Sequence, residues 1–217
     1  SGIDGYHNEA LVKTPSLKIF KLNYYKFIKL KVTQSLLPQF LNLLNYKYVN
    51  KSMQKYTLEN GLRIILIPNQ NTKSVTSLVL AGAGSRYETE EINGIAHFLE
   101  HMFFKGAKKY KNTKEVSSAI DSVGGEFNAF TGKEYAGYYV RIINDHLDTA
   151  LDVLSDMLLE ATFNPEEIEK ERGVILEELN MYQDTPMYQI AWNYEKLLYG
   201  KQPMGRDQIG SKKLIKS

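Results

Sequence analysis

His97, Glu100 and His101 are the residues whose types and spacing promise chemistry. They lie in the run Asn93-Gly94-Ile95-Ala96-His97-Phe98-Leu99-Glu100-His101-Met102-Phe103-Phe104-Lys105-Gly106, which reads as one helix. Asn93 is placed to cap its start, Gly106 to close its end, and Ile95, Phe98, Leu99, Met102 and Phe103 to form a buried face. At about 100° per residue the two histidines stand about 40° apart, one turn from each other, and Glu100 falls within about 60° of His97. Two imidazoles and a carboxylate therefore leave the helix in nearly one direction. A zinc site asks for that: neutral ring nitrogens about 2 Å from the metal, and a carboxylate near enough to take a proton from an activated water. The plain alternative is a pair of half-buried histidines with a solvated glutamate between them. It fits poorly, because polar residues at 97, 100 and 101 interrupt an otherwise apolar helix and buried polar groups need partners.

Catalytic zinc usually keeps three protein ligands, so a third donor must come from elsewhere in the chain. The 217 residues contain no cysteine, which excludes a disulfide framework and a thiolate ligand and leaves histidine and carboxylate. A helix expected over 165–183 offers Glu166, Glu167, Glu169, Glu171, Glu177 and Glu178, and residue physics alone does not choose among them. Most must be solvated surface charges.

The elements that would position these groups emerge along the chain. Hydrophobic residues make up 43%, enough for the core of one large domain or two small ones. No apolar run approaches the roughly 18 residues of a membrane span, and a net charge of +2 points to neither nucleic acid nor a membrane. That total conceals an asymmetry: residues 1–52 carry eight lysines against Asp4 and Glu9, so the remainder is mildly acidic and favours cations and basic peptide segments. Residues 1–52 show no turn-bounded periodicity, although 17–44 has the composition of one or two amphipathic helices; they are expected to be an N-terminal extension outside the core. The domain proper is expected over 53–217. Residues 54–58 and 62–68 read as a hairpin about Asn60-Gly61, Ser74–Ala81 as a strand, and Asn112-x-x-Glu115 as a capping box opening a helix to Val123. Strands are expected over 126–131 and 135–143, with the tyrosines at 135, 138 and 139 as packing residues. Helices follow over 145–160, over 165–183 behind the cap Asn164, and from Pro186 to Gly200, the last carrying Ile190, Trp192, Leu197 and Leu198 with Trp192 in the core. His146 reads as a surface residue. Strands and helices mixed without regular alternation, and without internal repeat, argue for α+β with an antiparallel sheet.

The order H-x-x-E-H inverts the commoner H-E-x-x-H and marks the inverzincins. With it stand Leu58-Glu59-Asn60-Gly61-Leu62-Arg63, Gly84-Ser85-Arg86-Tyr87-Glu88, Gly124-Gly125-Glu126-Phe127-Asn128-Ala129-Phe130-Thr131 and Glu171-Arg172-Gly173-Val174-Ile175-Leu176-Glu177-Glu178. Together these blocks resemble, in order, the pitrilysin/insulinase family of zinc peptidases, closest to its bacterial and mitochondrial processing-peptidase branch. The resemblance runs from about Lys55 to the end of the chain.

It implies an antiparallel sheet with helices packed on one face and the metal site on a helix. It also implies one Zn2+ held by His97, His101 and Glu178, since the family's third ligand follows the second histidine by about 76 intervening residues. Glu100 is implied as general base, and Glu171, two turns before Glu178, as a supporting group that orients the ligand histidine at 101. Asn128, Ala129 and Phe130 are implied to hold an extended substrate, Ala129 and Phe130 through main-chain hydrogen bonds and Asn128 near the scissile bond. The implied activity is metal-dependent hydrolysis of peptide bonds in peptides or unfolded, processing-type segments. The alternative is a non-catalytic homologue or peptide-binding assembly subunit of the same fold, although such homologues usually lose one of the His, Glu, His or distal Glu positions and all four stand here. Family members pair several such domains, so a second pitrilysin-like domain or subunit, in a homo- or heterodimer, is the expected partner. The expected compartment is a bacterial cytoplasm, with the mitochondrial matrix as alternative.

Overall fold

A computed structural model describes residues 53–217. The expectations for residues 1–52 lie outside them. The chain begins with a hairpin, β1 (Gln54–Thr57) and β2 (Arg63–Leu66), joined by Asn60-Gly61 as its composition requires. Three further strands make a separate antiparallel sheet in the order β3 (Ser74–Ala81), β5 (Ala136–Ile143), β4 (Glu126–Thr131). The central β5 pairs Tyr139 with Leu78 on one side and with Asn128 on the other. β4 is left at an edge, with no second neighbour among the described residues.

Helices cover one face of this sheet. α1 (Ile95–Phe103), α2 (Thr113–Asp121) and α3 (Leu147–Leu159) bring Leu99, Phe103, Val116, Ile120, Val153, Leu154 and Met157 against Tyr138, Val140 and Ile142 of β5. Fully burying an aliphatic side chain of this kind contributes about 1.5–3 kcal/mol, so this core holds the layers together. The opposite face is open, with Leu78 and Leu80 exposed. α4 (Pro165–Asp184) and α5 (Pro186–Tyr199) follow, and a smaller core of Ile175, Leu179, Ile209 and Ile215 ties α4 to the C-terminal loop and the short α6 (Lys212–Ile215).

Local signals account for most boundaries. The Asn112 side chain accepts from the Glu115 N–H at 3.0 Å and starts α2, which stops at Asp121 rather than 123 because the chain leaves through turns to Gly124. Asn164 accepts from the Glu166 N–H at 2.9 Å with Pro165 in the first turn of α4. His146 is exposed and Tyr138 buried, while Tyr135 is exposed rather than packed. α5 departs most from expectation. Ile190, Leu197 and Leu198 lie on its outer side, 56–83% exposed, and Trp192 is half-buried rather than a core residue.

Candidate metal centre

α1 is positioned by a residue that does not belong to it. Its first turn starts at Gly94, in the left-handed region at φ 99°, with no cap from its own side chain. The buried Glu88 carboxylate accepts instead from the Gly94 N–H at 2.7 Å, the Ala96 N–H at 2.8 Å and the Asn93 amide at 3.0 Å. An anion at a helix N-terminus satisfies free donors and complements the helix dipole. Asn93, expected to be the cap, is a donor here: its amide bonds Glu88 and the Asp207 carbonyl. Gly94 must be glycine for a second reason. A Cβ there would lie 2.6 Å from the Ile209 carbonyl oxygen, where the C-terminal loop crosses the start of the helix.

One turn along, His97 and His101 face α4. Their rings stand 4.8 Å apart between centroids. Glu178 reaches between them, with Oε1 3.6 Å from His97 Nε2 and Oε2 3.3 Å from His101 Nε2. The three residues offer one donor atom each, all within 4.8 Å of one another. Donors about 2.0–2.1 Å from a tetrahedral zinc lie about 3.3–3.5 Å apart, close to the two His–Glu178 separations. Among the described residues this is the only such group of three. Glu177 lies one position off, as helical geometry requires.

The surrounding groups orient the donors. Glu171, 3% exposed, places Oε1 2.9 Å from His101 Nδ1, which leaves Nε2 for a metal. The other Glu171 oxygen lies 2.6 Å from Lys105 Nζ. Tyr182 donates to Glu178 Oε1 at 2.8 Å. His97 Nδ1 is buried without a hydrogen-bond partner among the described residues, and the polar contact of that ring is with Glu178 through Nε2. Glu100 stands apart from the three donors, and its carboxylate accepts from the Thr131 hydroxyl on β4.

Charge follows geometry. The His101 and His97 rings hold the Glu178 carboxyl far below the usual carboxylate range, against the opposing effect of burial. Burial alone would lower the His101 pKa, but bonds to Glu178 and Glu171 outweigh it and raise it. Burial and the Glu178 bond push Tyr182 up to about 12, so it remains a donor. With neutral histidines, three carboxylates against Lys105 leave the cluster a formal two charges negative. A divalent cation balances it.

His97, Glu178 and Glu100 open into a cleft of about 270 Å³ walled by Ala129, Phe130 and Thr131 of β4, Tyr182, Trp192, Gln208 and Ile209. Asn128 does not line it; its side chain turns back to accept the Ala129 N–H at 2.8 Å. The hairpin bond from Gly132 N–H to the Tyr135 carbonyl fixes the alternation of the β4–β5 ladder. Phe130 therefore directs its main-chain groups to Gly137, while Ala129 and Thr131 direct theirs to the free edge. The main-chain groups of Phe130, expected to face a substrate, are thus engaged within the sheet, and Phe130 contributes to the cleft wall.

Glu88, Lys105, Thr131, Tyr182, Gln208 and Ile209 have roles that sequence reasoning missed. Tyr182, four residues after Glu178, and Lys105, four residues after His101, carried a usable periodic signal.

The family model "Insulinase (Peptidase family M16)" matches residues 63–210. The chain belongs to that family. An uncharacterized zinc protease of Bacillus subtilis (strain 168) is 44% identical over 165 residues, which cover 76% of this chain and 40% of that protein. A probable mitochondrial-processing peptidase subunit beta of Arabidopsis thaliana is 36% identical over 74% of this chain and 30% of its own length. The crystal structure of a protease from Helicobacter pylori superposes with a TM-score of 0.73 at 28% identity, covering 77% of this chain and 40% of that one. The M16 chain described here thus spans about two fifths or less of these relatives, and shares its fold with the Helicobacter pylori protease.

Proposed function

We propose that this chain is the zinc-bearing domain of a metalloendopeptidase that hydrolyses extended peptides or unfolded segments. His97, His101 and Glu178 hold the ion. Bound there, zinc supplies Lewis-acid polarisation of a carbonyl and lowers the pKa of water towards neutrality. Glu100 takes the water proton as general base and passes it to the leaving amine. Thr131 fixes the carboxylate for that transfer, and Glu171 fixes the His101 ring. Substrate lies along the edge of β4, bonded by the outward main-chain groups of Ala129 and Thr131. Asn128 must release the Ala129 N–H as the substrate strand arrives. A further M16-like domain or subunit completes the grip, in keeping with the share of the relatives that this chain spans.

One observation carries the reading: Glu100 lines the cleft beside the donors His97 and Glu178, yet is not one of the three grouped donors. A general base needs that place. The test is cleavage of a quenched fluorescent library of basic peptides by the parent and by Glu100→Gln, with zinc quantified in both. Turnover that disappears in the variant while zinc stays is the expected result; turnover retained by Glu100→Gln would refute the assignment.

A further inference from the structure

We propose that Lys105 is a positioning residue of the metal centre, acting through Glu171 on His101; this rests on the zinc reading above. Lys105 follows His101 by four residues, just beyond the end of α1, so both side chains leave the same edge of the final turn. They meet one carboxylate. Glu171 Oε1 lies 2.9 Å from His101 Nδ1 and Oε2 2.6 Å from Lys105 Nζ, and its side chain is only 5% exposed. The nearby Glu167 of the same helix is bound to Lys170, which leaves Lys105 to Glu171.

A buried carboxylate with both oxygens engaged has one orientation. Without Lys105, Oε2 would be left buried and unpaired. The carboxylate would turn towards water and release the imidazole it aims. Lys105 therefore sets the direction of the His101 ring although it touches neither metal nor substrate. A purely structural lysine would only offset the buried charge.

The two roles separate in zinc affinity, measured on the 217-residue chain by chelator competition, with thermal unfolding of each variant alongside. Lys105→Met is expected to raise the zinc Kd about tenfold and Glu171→Gln about 10- to 100-fold. The double variant Lys105→Met/Glu171→Gln, which carries no unpaired charge, should match Glu171→Gln alone, because Lys105 acts only through that carboxylate. Lys105→Arg should bind zinc like the parent. If Lys105→Met does not fold, Lys105→Gln takes its place, with a loss of a few-fold expected from its weaker donor. A parent-like Kd in the folded Lys105 variant, or losses that multiply in the double variant, would overturn the proposal. A parent chain that binds no zinc would instead overturn the zinc reading beneath it.

Discussion

Glu100, the proposed base, is held beside the donors by Thr131. Both come from short polar interruptions in apolar elements, and only the fold brings the hydroxyl to the carboxylate. A hydrogen bond to a charged group contributes about 1.5–3 kcal/mol, so Thr131→Val is expected to lower kcat by at least about tenfold. KM and zinc content should not change, and Thr131→Ser should restore the rate. Equal losses in the serine and valine variants would show that the methyl packing matters instead. His101 gives a pH dependence of known sign. Its pKa is raised in the metal-free fold, and a ring must be neutral to bind metal. Zinc affinity should therefore weaken as pH falls through that raised pKa, which a chelator titration across pH 5–8 would show. In the metal-free chain the same shift contributes stability that is present below the unfolded histidine pKa of about 6.5 and lost as pH rises through the folded one. Glu178 acts oppositely. Its depressed pKa contributes stability above about pH 4.3 that is lost on further acidification.

At the scale of elements, two helices and a strand edge make the site, and each is held by something its own sequence shows poorly. α4 presents Glu171, Ile175, Glu178 and Tyr182 on one side, and Ile175, 1% exposed, is its anchor in the smaller core. Ile175→Ala should cost about 2–5 kcal/mol in denaturant melts. A cost near zero would mean that α4 is positioned by its polar contacts alone. α1 depends on Glu88. Glu88→Ala strands buried N–H donors and should destabilise the fold by about 1–3 kcal/mol, while Glu88→Gln, which keeps one acceptor, should cost less. Similar costs for the two would place the effect in packing. The hairpin turn at Asn60-Gly61, the caps at Asn112 and Asn164 and the strand 74–81 were legible because each rests on local rules. Glu88 was not, since it reaches six and eight residues along an irregular loop to its donors. The outward Ile190, Leu197 and Leu198 follow helical periodicity faithfully; periodicity cannot say which face is covered.

For the whole molecule, the H-x-x-E-H run and the distal glutamate were readable as a ligand set only together, because Glu166, Glu167, Glu169, Glu171, Glu177 and Glu178 look alike until the fold turns Glu171 and Glu178 towards the histidines. The fold does more than select Glu178. It surrounds the donors with Glu100 and Glu171 and a single lysine, a charge pattern that a dication neutralises. Zinc stoichiometry tests that centre most directly. One zinc per chain is expected in the parent and in Glu100→Gln, and none after purification against chelator in His97→Ala, His101→Ala or Glu178→Ala. Stoichiometric zinc in any of those three, with the variant folded, would contradict the assignment of the ligands.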